Sequence, residues 1–281
     1  MTRAPRKTAV RADDVATYVI LAATVVFCLV PVLWALVTSL KVESGVVAYP
    51  PRWWPDPVTL ESYRLVFQSN MPRYYLNSFV VAVLTLAATL AAGSLGGYAA
   101  ARFDFRGKKL VLFLLLMTIM IPGIVVLVPL YLMANQVGLQ DTYLGLVLVY
   151  AGWQVPTAIW LMRGFFESIP RDLEEAALID GCTPFQAFVR VILPLTRPGL
   201  AAASMVVFIW VWNEFIIALT LTSSDQMRLV PVGLYLYVSS FGVEWGPLMA
   251  AVCVALLPVI GLFVVLQRQF VEGLTSGGTK G

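Results

Sequence analysis

The sequence contains no histidine in 281 residues, so it lacks the commonest metal ligand and the side chain that changes charge near neutral pH. Charge of either sign is scarce. Asp, Glu, Lys and Arg make up 12% of the chain, against 59% hydrophobic residues and a mean hydropathy of +0.83. That is too little charge to coat a soluble globule of this size. The three cysteines, Cys28, Cys182 and Cys253, are far apart. They show neither disulfide nor metal spacing and read as small packing residues. No phosphate loop, nucleophile elbow, zinc motif or calcium loop is present. The terminal GGTKG, Gly277–Gly281, lacks the spacing of a phosphate loop, so any ATP chemistry belongs to another chain. A net charge of +3 is too small to point to nucleic acid. No internal repeat marks an inverted-repeat transporter.

What the chain has is apolar runs. Six are long enough to cross a bilayer, at about 15–40, 76–101, 110–134, 142–162, 199–222 and 247–266. The first is too long for a signal-peptide core and lacks a cleavage pattern, so it reads as a retained span. The end of the second, AAGSLGGYAAAR, is rich in Gly and Ala and lets a neighbouring helix approach closely. Pro122 and Pro129 predict kinks in the third span, and Pro156 lies inside the fourth. The external loop after the first span carries YPPRWWPDP, whose Trp53 and Trp54 suit a membrane interface. Residues 223–246 read as a loop with an apolar centre, and 267–281 as a flexible tail. The chain thus divides into 1–71, with the N-terminal tail, first span and external loop; a transmembrane core at 72–267; and a C-terminal tail at 268–281.

Six spans leave both termini on one side. That side carries fourteen of the nineteen Lys and Arg residues, the other five. The positive-inside rule therefore predicts cytoplasmic termini in a plasma-membrane protein.

One polar stretch, 168–198, interrupts the second half of the chain. It reads as two short helices. Ser168 is placed to cap the first, with Pro170 in its first turn. Asp172, Glu174 and Glu175 lie toward the positive end of that helix, and Gly181 is suited to close it. Thr183, Pro184 and Gln186 have the spacing of a capping box, and Pro194 and Pro198 are expected to stop the second helix. The charge count places the stretch in the cytoplasm, as a candidate docking element. A single carboxylate, Glu214, stands out inside a span, flanked by Trp210, Trp212 and Asn213. Trp210, Asn213 and Glu214 are candidates for a substrate pathway, and a structural hydrogen bond between helices is the alternative.

Glu175-Ala176-Ala177, then Gly181, then Val191-Ile192-Leu193-Pro194 resembles the EAA motif of bacterial ABC-importer permeases. Val191 stands where that family usually has Ile. WNEF at Trp212–Phe215, WGPLMAA at Trp245–Ala251 and the ending from Gln267 resemble the carbohydrate-uptake branch, in its smaller maltose-type subunits. The resemblance implies an all-α membrane protein of six transmembrane helices, with a cytoplasmic coupling helix between spans four and five. It implies that Glu175, Ala176, Ala177, Asp180, Gly181 and Pro194 form the contact with an ATPase and its turn. The implied partners are a second, different permease, two copies of the ATPase and an extracytoplasmic solute-binding protein. No cofactor is expected on this chain, with ATP and Mg on the ATPase. The C-terminal GLTSGGTKG is expected to touch that ATPase as well. The cargo implied is a sugar or polyol. An ion-coupled secondary transporter using Glu214, or a permease for a solute such as glycerol phosphate, are the alternatives.

Overall fold

The computed structural model describes residues 12–239 and 242–277. The basic tail before residue 12 and the final residues 278–281 lie outside them. The apolar runs form helices, because a backbone in hydrocarbon must satisfy its own N–H and C=O groups. Four helices are long and apolar enough to cross a bilayer unaided: α1 (Ala12–Ser39), α4 (Met71–Arg102), α7 (Tyr143–Ser168) and α14 (Trp245–Gly277). Between α1 and α4 lie two short helices, α2 (Glu43–Val46) and α3 (Glu61–Gln68), in the stretch expected to be loop. The strands among the described residues are two residues each, Val238–Ser239 and Gly242–Val243. The protein is all-α.

The remaining apolar runs are interrupted. The third forms α5 (Lys108–Met120) and α6 (Gly123–Gln136), bent 98° to each other. That is a break rather than the expected kink. Proline disfavours the helical conformation of the residue before it. Ile121 is accordingly extended, at φ −71° and ψ 121°, and Pro122 caps α6. Pro129 lies inside α6 without ending it. The fifth run forms α11 (Arg197–Asn213) and α12 (Ile216–Leu221), parted at Glu214 and Phe215. The loop after it contains α13 (Val230–Tyr235). The expected tail from residue 267 is instead a continuation of α14 to Gly277, through Pro258.

The described residues fall into two units, within Met1–Val66 with Ser239–Val254 and within Phe67–Val238 with Ala255–Gly281. In the first, Lys41 is buried. Its ammonium sits 4.5 Å above the Trp34 ring and donates to the Arg52 carbonyl at 2.6 Å. Burial lowers its pKa from the ordinary lysine value. Trp53 packs edge-on against Trp34 yet is 72% exposed, and Trp54 is 76% exposed, as interfacial residues would be.

The second unit is built on the close pairing of α4 with α7. A Cβ at Gly93 would lie 2.5 Å from the Ala158 Cβ, and one at Gly97 2.9 Å from the backbone N of Arg163. The Gly-xxx-Gly spacing lets the two backbones approach as the Gly/Ala-rich sequence suggests. At the start of α4, the buried Asn77 donates to the carbonyls of Gln226 and Arg228, both at 2.9 Å, and accepts from the Tyr143 hydroxyl at 2.5 Å. Asp141 accepts from the N–H groups of Ser223 and Ser224. Burial pushes the Asp141 carboxyl up, and these hydrogen bonds with the Ser224 hydroxyl outweigh it, leaving the pKa below the ordinary value. The loop before α13 is therefore tied to α4 and to the turn before α7. Gly97→Leu forces the helices apart and lowers the stability of the detergent-solubilised protein by about 1–3 kcal/mol or prevents folding. Thermal unfolding followed by size-exclusion chromatography measures it, and a wild-type profile would contradict the pairing.

Candidate coupling loop and membrane cavity

The polar stretch folds into α8 (Asp172–Ile179) and a second helical run, Pro184–Leu195. Ser168 does not cap α8. It is the last residue of α7, where its hydroxyl donates to the Phe165 carbonyl, and Arg171 occupies the N-cap without a side-chain bond. The carboxylates of Asp172, Glu174 and Glu175 lie in the first turn, where the helix dipole favours them. At the other end Gly181 adopts φ +88°. Cys182 N–H then reaches the Ala177 carbonyl at 3.0 Å and Gly181 N–H the Leu178 carbonyl at 3.1 Å. That is the paired closure of a Schellman turn, which suits a residue without a Cβ. Thr183 and Gln186 form the expected reciprocal capping box of α9 (Pro184–Ala187). Pro194 does not stop this run. A π-turn, Phe188–Ile192, precedes it, and α10 (Leu193–Leu195) carries the proline onward. The wider turn relieves the clash between the proline ring and the carbonyl four residues back. The chain instead bends by 75° at Thr196, and Pro198 lies in the first turn of α11.

The loop is fastened to the helices that flank it. Arg102, at the end of α4, lies 3.0 Å from Glu174 and donates to the Ile169 carbonyl at 3.0 Å. The Tyr98 hydroxyl donates to the other Glu174 oxygen. The side chains of Arg102 and Glu174 are 6% and 16% exposed, so the pair is largely shielded from water. Removing one partner of such a pair typically costs about 3–5 kcal/mol. Beneath it, Tyr98, Phe166 and Phe188 pack with Met162 and Ile192, joining α4 and α7 to the π-turn. Glu175, Ala176, Asp180 and Gly181 remain exposed, whereas Ala177 is buried against its own chain. Only one of the two alanines therefore faces outward. Leu173, Ile179 and Phe185 are exposed too, at 44%, 86% and 67%.

Glu214 is not inside a helix. It sits at the break between α11 and α12, in an extended conformation, and its carboxylate caps α12. Oε1 accepts from Ile217 N–H at 2.9 Å, and Oε2 from Ala218 N–H and the Tyr150 hydroxyl, both at 3.0 Å. The structural alternative read from the sequence is thus realised. The same carboxylate also lines a cavity of about 270 Å³ with Trp153, Trp210, Gly123 and Ile124. Trp210 meets the buried Tyr150 edge to face. Asn213 does not line this cavity; it donates to the Ile209 carbonyl of its own helix at 2.7 Å. Trp212 is likewise structural, its indole N–H reaching the Ala255 carbonyl at 3.1 Å.

The family model for the binding-protein-dependent transport system inner membrane component matches residues 92–275. The chain belongs to this family. This inner membrane component is 39% identical over 254 residues to the sulfoquinovosyl glycerol transport system permease protein SmoH of Agrobacterium fabrum, covering 90% of this chain and 89% of that one. It is 38% identical over 258 residues to the trehalose transport system permease protein SugB of Mycobacterium tuberculosis, covering 91% and 93%. The crystal structure of a bacterial ABC transporter involved in the import of the acidic polysaccharide alginate shares its fold, with a TM-score of 0.80 at 23% identity over 96% of this chain and all of that one. Family and apolar helices together make it a multi-pass inner-membrane protein, and membership replaces the ion-coupled alternative.

Sequence reasoning missed Tyr98 and Arg102 as anchors of the loop, and Tyr150 and Trp153 in the membrane. Tyr150 and Trp153 stand three apart on one face of α7, a pattern visible in the sequence of the inner membrane component but without a partner until Glu214 is placed. Glu214→Leu leaves two N–H groups of α12 without acceptors, at about 1–3 kcal/mol each, and sharply lowers the melting temperature of the purified protein. Glu214→Gln keeps one of the two acceptors and turns an NH2 toward the other N–H, so it costs about 1–3 kcal/mol, less than Glu214→Leu. Equal melting of both variants with wild type would contradict the cap.

Proposed function

We propose that this chain is a permease subunit of an ATP-driven importer, carrying a sugar, sugar derivative or polyol across the bacterial inner membrane. The observation that carries the reading is the split between neighbouring carboxylates: Glu174 is tied inward to Arg102, and Glu175 faces outward on the same helix. An element that must pass motion from a partner to the spans needs both attachments. Glu175, Ala176, Asp180 and Gly181 would present the docking surface, with Leu173 and Ile179 as apolar contacts, and Pro194 would lie in the run that returns to α11. ATP and Mg would be bound by two ATPase subunits. A second, different permease would complete the pathway, and an extracytoplasmic solute-binding protein would deliver the cargo. The fourteen-to-five bias of Lys and Arg supports six spans with both termini and the loop in the cytoplasm.

The relatives supply the cargo class. Permeases for trehalose and sulfoquinovosyl glycerol align over nine tenths of the chain. The cavity beside Glu214 suits a sugar ring, to which Trp153 and Trp210 offer flat apolar faces. Neither Lys nor Arg lines it, so a neutral sugar such as trehalose matches it better than sulfoquinovosyl glycerol, whose sulfonate is anionic. Closure of the ATPase pair would shift the permease between two access states, moving α8 and the helices bound to it as one body.

Glu175→Lys reverses the outward charge without touching the Glu174 anchor. It should reduce co-purification of the ATPase and lower ATP-dependent uptake by about tenfold or more. Full ATPase recovery together with wild-type uptake would sink this reading of the loop.

A further inference from the structure

A second, larger cavity lies away from Glu214, where α4 ends, α5 begins and α7 approaches its last turn. Its volume is about 510 Å³. Lys108, Lys109 and Arg163 line it together with Trp160, Leu112 and Phe113. Lys108 is held by the Phe103 carbonyl at 3.0 Å and by Asp104 at 3.2 Å. Arg163 is held through Nε by Glu167 at 2.8 Å, with its guanidinium 5.3 Å from the Trp160 ring centre. Lys109 forms no ion pair among the described residues. The buried Trp160 indole N–H has no acceptor among them either. Asp104 is the one carboxylate in the wall, so the lining carries a surplus of positive charge.

The cavity is basic at one end and apolar along its length. Beyond it, Leu110, Val111, Phe113 and Leu114 of α5 remain exposed at 61%, 46%, 54% and 53%. A soluble anion would match only the charged end. We propose that this cavity holds an anionic phospholipid. The headgroup phosphate sits between Lys109 and Arg163, with the Trp160 N–H as a further donor, and an acyl chain lies along Leu112, Phe113 and the exposed face of α5. Basic pockets at the ends of transmembrane helices attract acidic lipids, each nearby Lys or Arg strengthening the attraction severalfold. Tryptophan is at home at the same depth. The lipid would brace α5 against α7 close to the turn that leads from Arg102, and so would steady the loop anchor from the membrane side.

The test uses the full chain purified with its accompanying subunits, exposed to phosphatidylglycerol or phosphatidylcholine and read by native mass spectrometry. The wild type should retain phosphatidylglycerol in preference to phosphatidylcholine. Lys109→Gln should lower phosphatidylglycerol retention about fivefold and leave phosphatidylcholine unchanged. Because Lys109 is exposed and has no ion pair among the described residues, its substitution should not disturb folding. A photoreactive benzoylphenylalanine in place of Phe113 should label the lipid in bilayers containing phosphatidylglycerol. Equal retention of the two lipids by the wild type would overturn the proposal. So would unchanged retention in Lys109→Gln, or labelling of another protein subunit from position 113.

Discussion

The contact between Arg102 and Glu174, completed by the Tyr98 hydroxyl, decides what the rest of the molecule can do. Without it α8 would be held only by the burial of Ala177 and the packing of Phe188 on Tyr98 and Phe166. With it the loop is part of the end of α4. The pair gains strength from its surroundings, because Tyr98, Phe166 and Phe188 exclude water from one side and the Ile169 carbonyl accepts from a second nitrogen of the guanidinium. A largely buried ion pair adds little net stability over an apolar core, yet it resists any arrangement that separates its charges. That property is what the proposed coupling role asks of the joint.

A second constraint runs through the interrupted helices. In a bilayer a broken helix leaves N–H and C=O groups that only protein can satisfy. The break between α11 and α12 is tolerated because Glu214 accepts two of the freed N–H groups, and Tyr150 fixes the carboxylate from α7. The π-turn before Pro194 is the same economy applied to a proline, widening one turn so that the run continues. Both irregular points lie beside surfaces proposed to be functional, the cavity at Trp153 and Trp210 and the exposed helix α8. The long helices α4 and α7, paired through Gly93 and Gly97, provide the rigid frame from which these points are displaced.

Much of this was legible in the residues. Apolar length located the helices, the Gly/Ala-rich end of the second span foretold the close pairing, and the Thr183 capping box and Gly181 closure are local codes that need no tertiary knowledge. What remained hidden depends on residues far apart in sequence. Arg102 and Glu174 meet across 72 positions, and nothing near either names the other. Glu214 looked like a charge in a helix because its neighbours are apolar, and only the break turns it into a cap. Ser168 and Thr183 show the same limit at short range. Both are good caps by type, but α7 outlasts the apolar pattern and absorbs Ser168, whereas Gly181 clears the way for Thr183. The prolines misled in both directions. Pro122 broke a span that was expected only to bend, and Pro194 was passed through by a turn no simple rule foresees.

A charge exchange across the anchor tests the central claim most directly. ATP-driven uptake and ATP hydrolysis would be measured together in assembled transporters carrying Arg102→Glu, Glu174→Arg, or both substitutions. The account predicts that each single change lowers uptake about tenfold or more while hydrolysis continues, and that the double change restores most of the uptake with the pair re-formed in reverse. Wild-type uptake in either single variant, or a double variant no better than the singles, would show that the loop does not drive the spans through this contact.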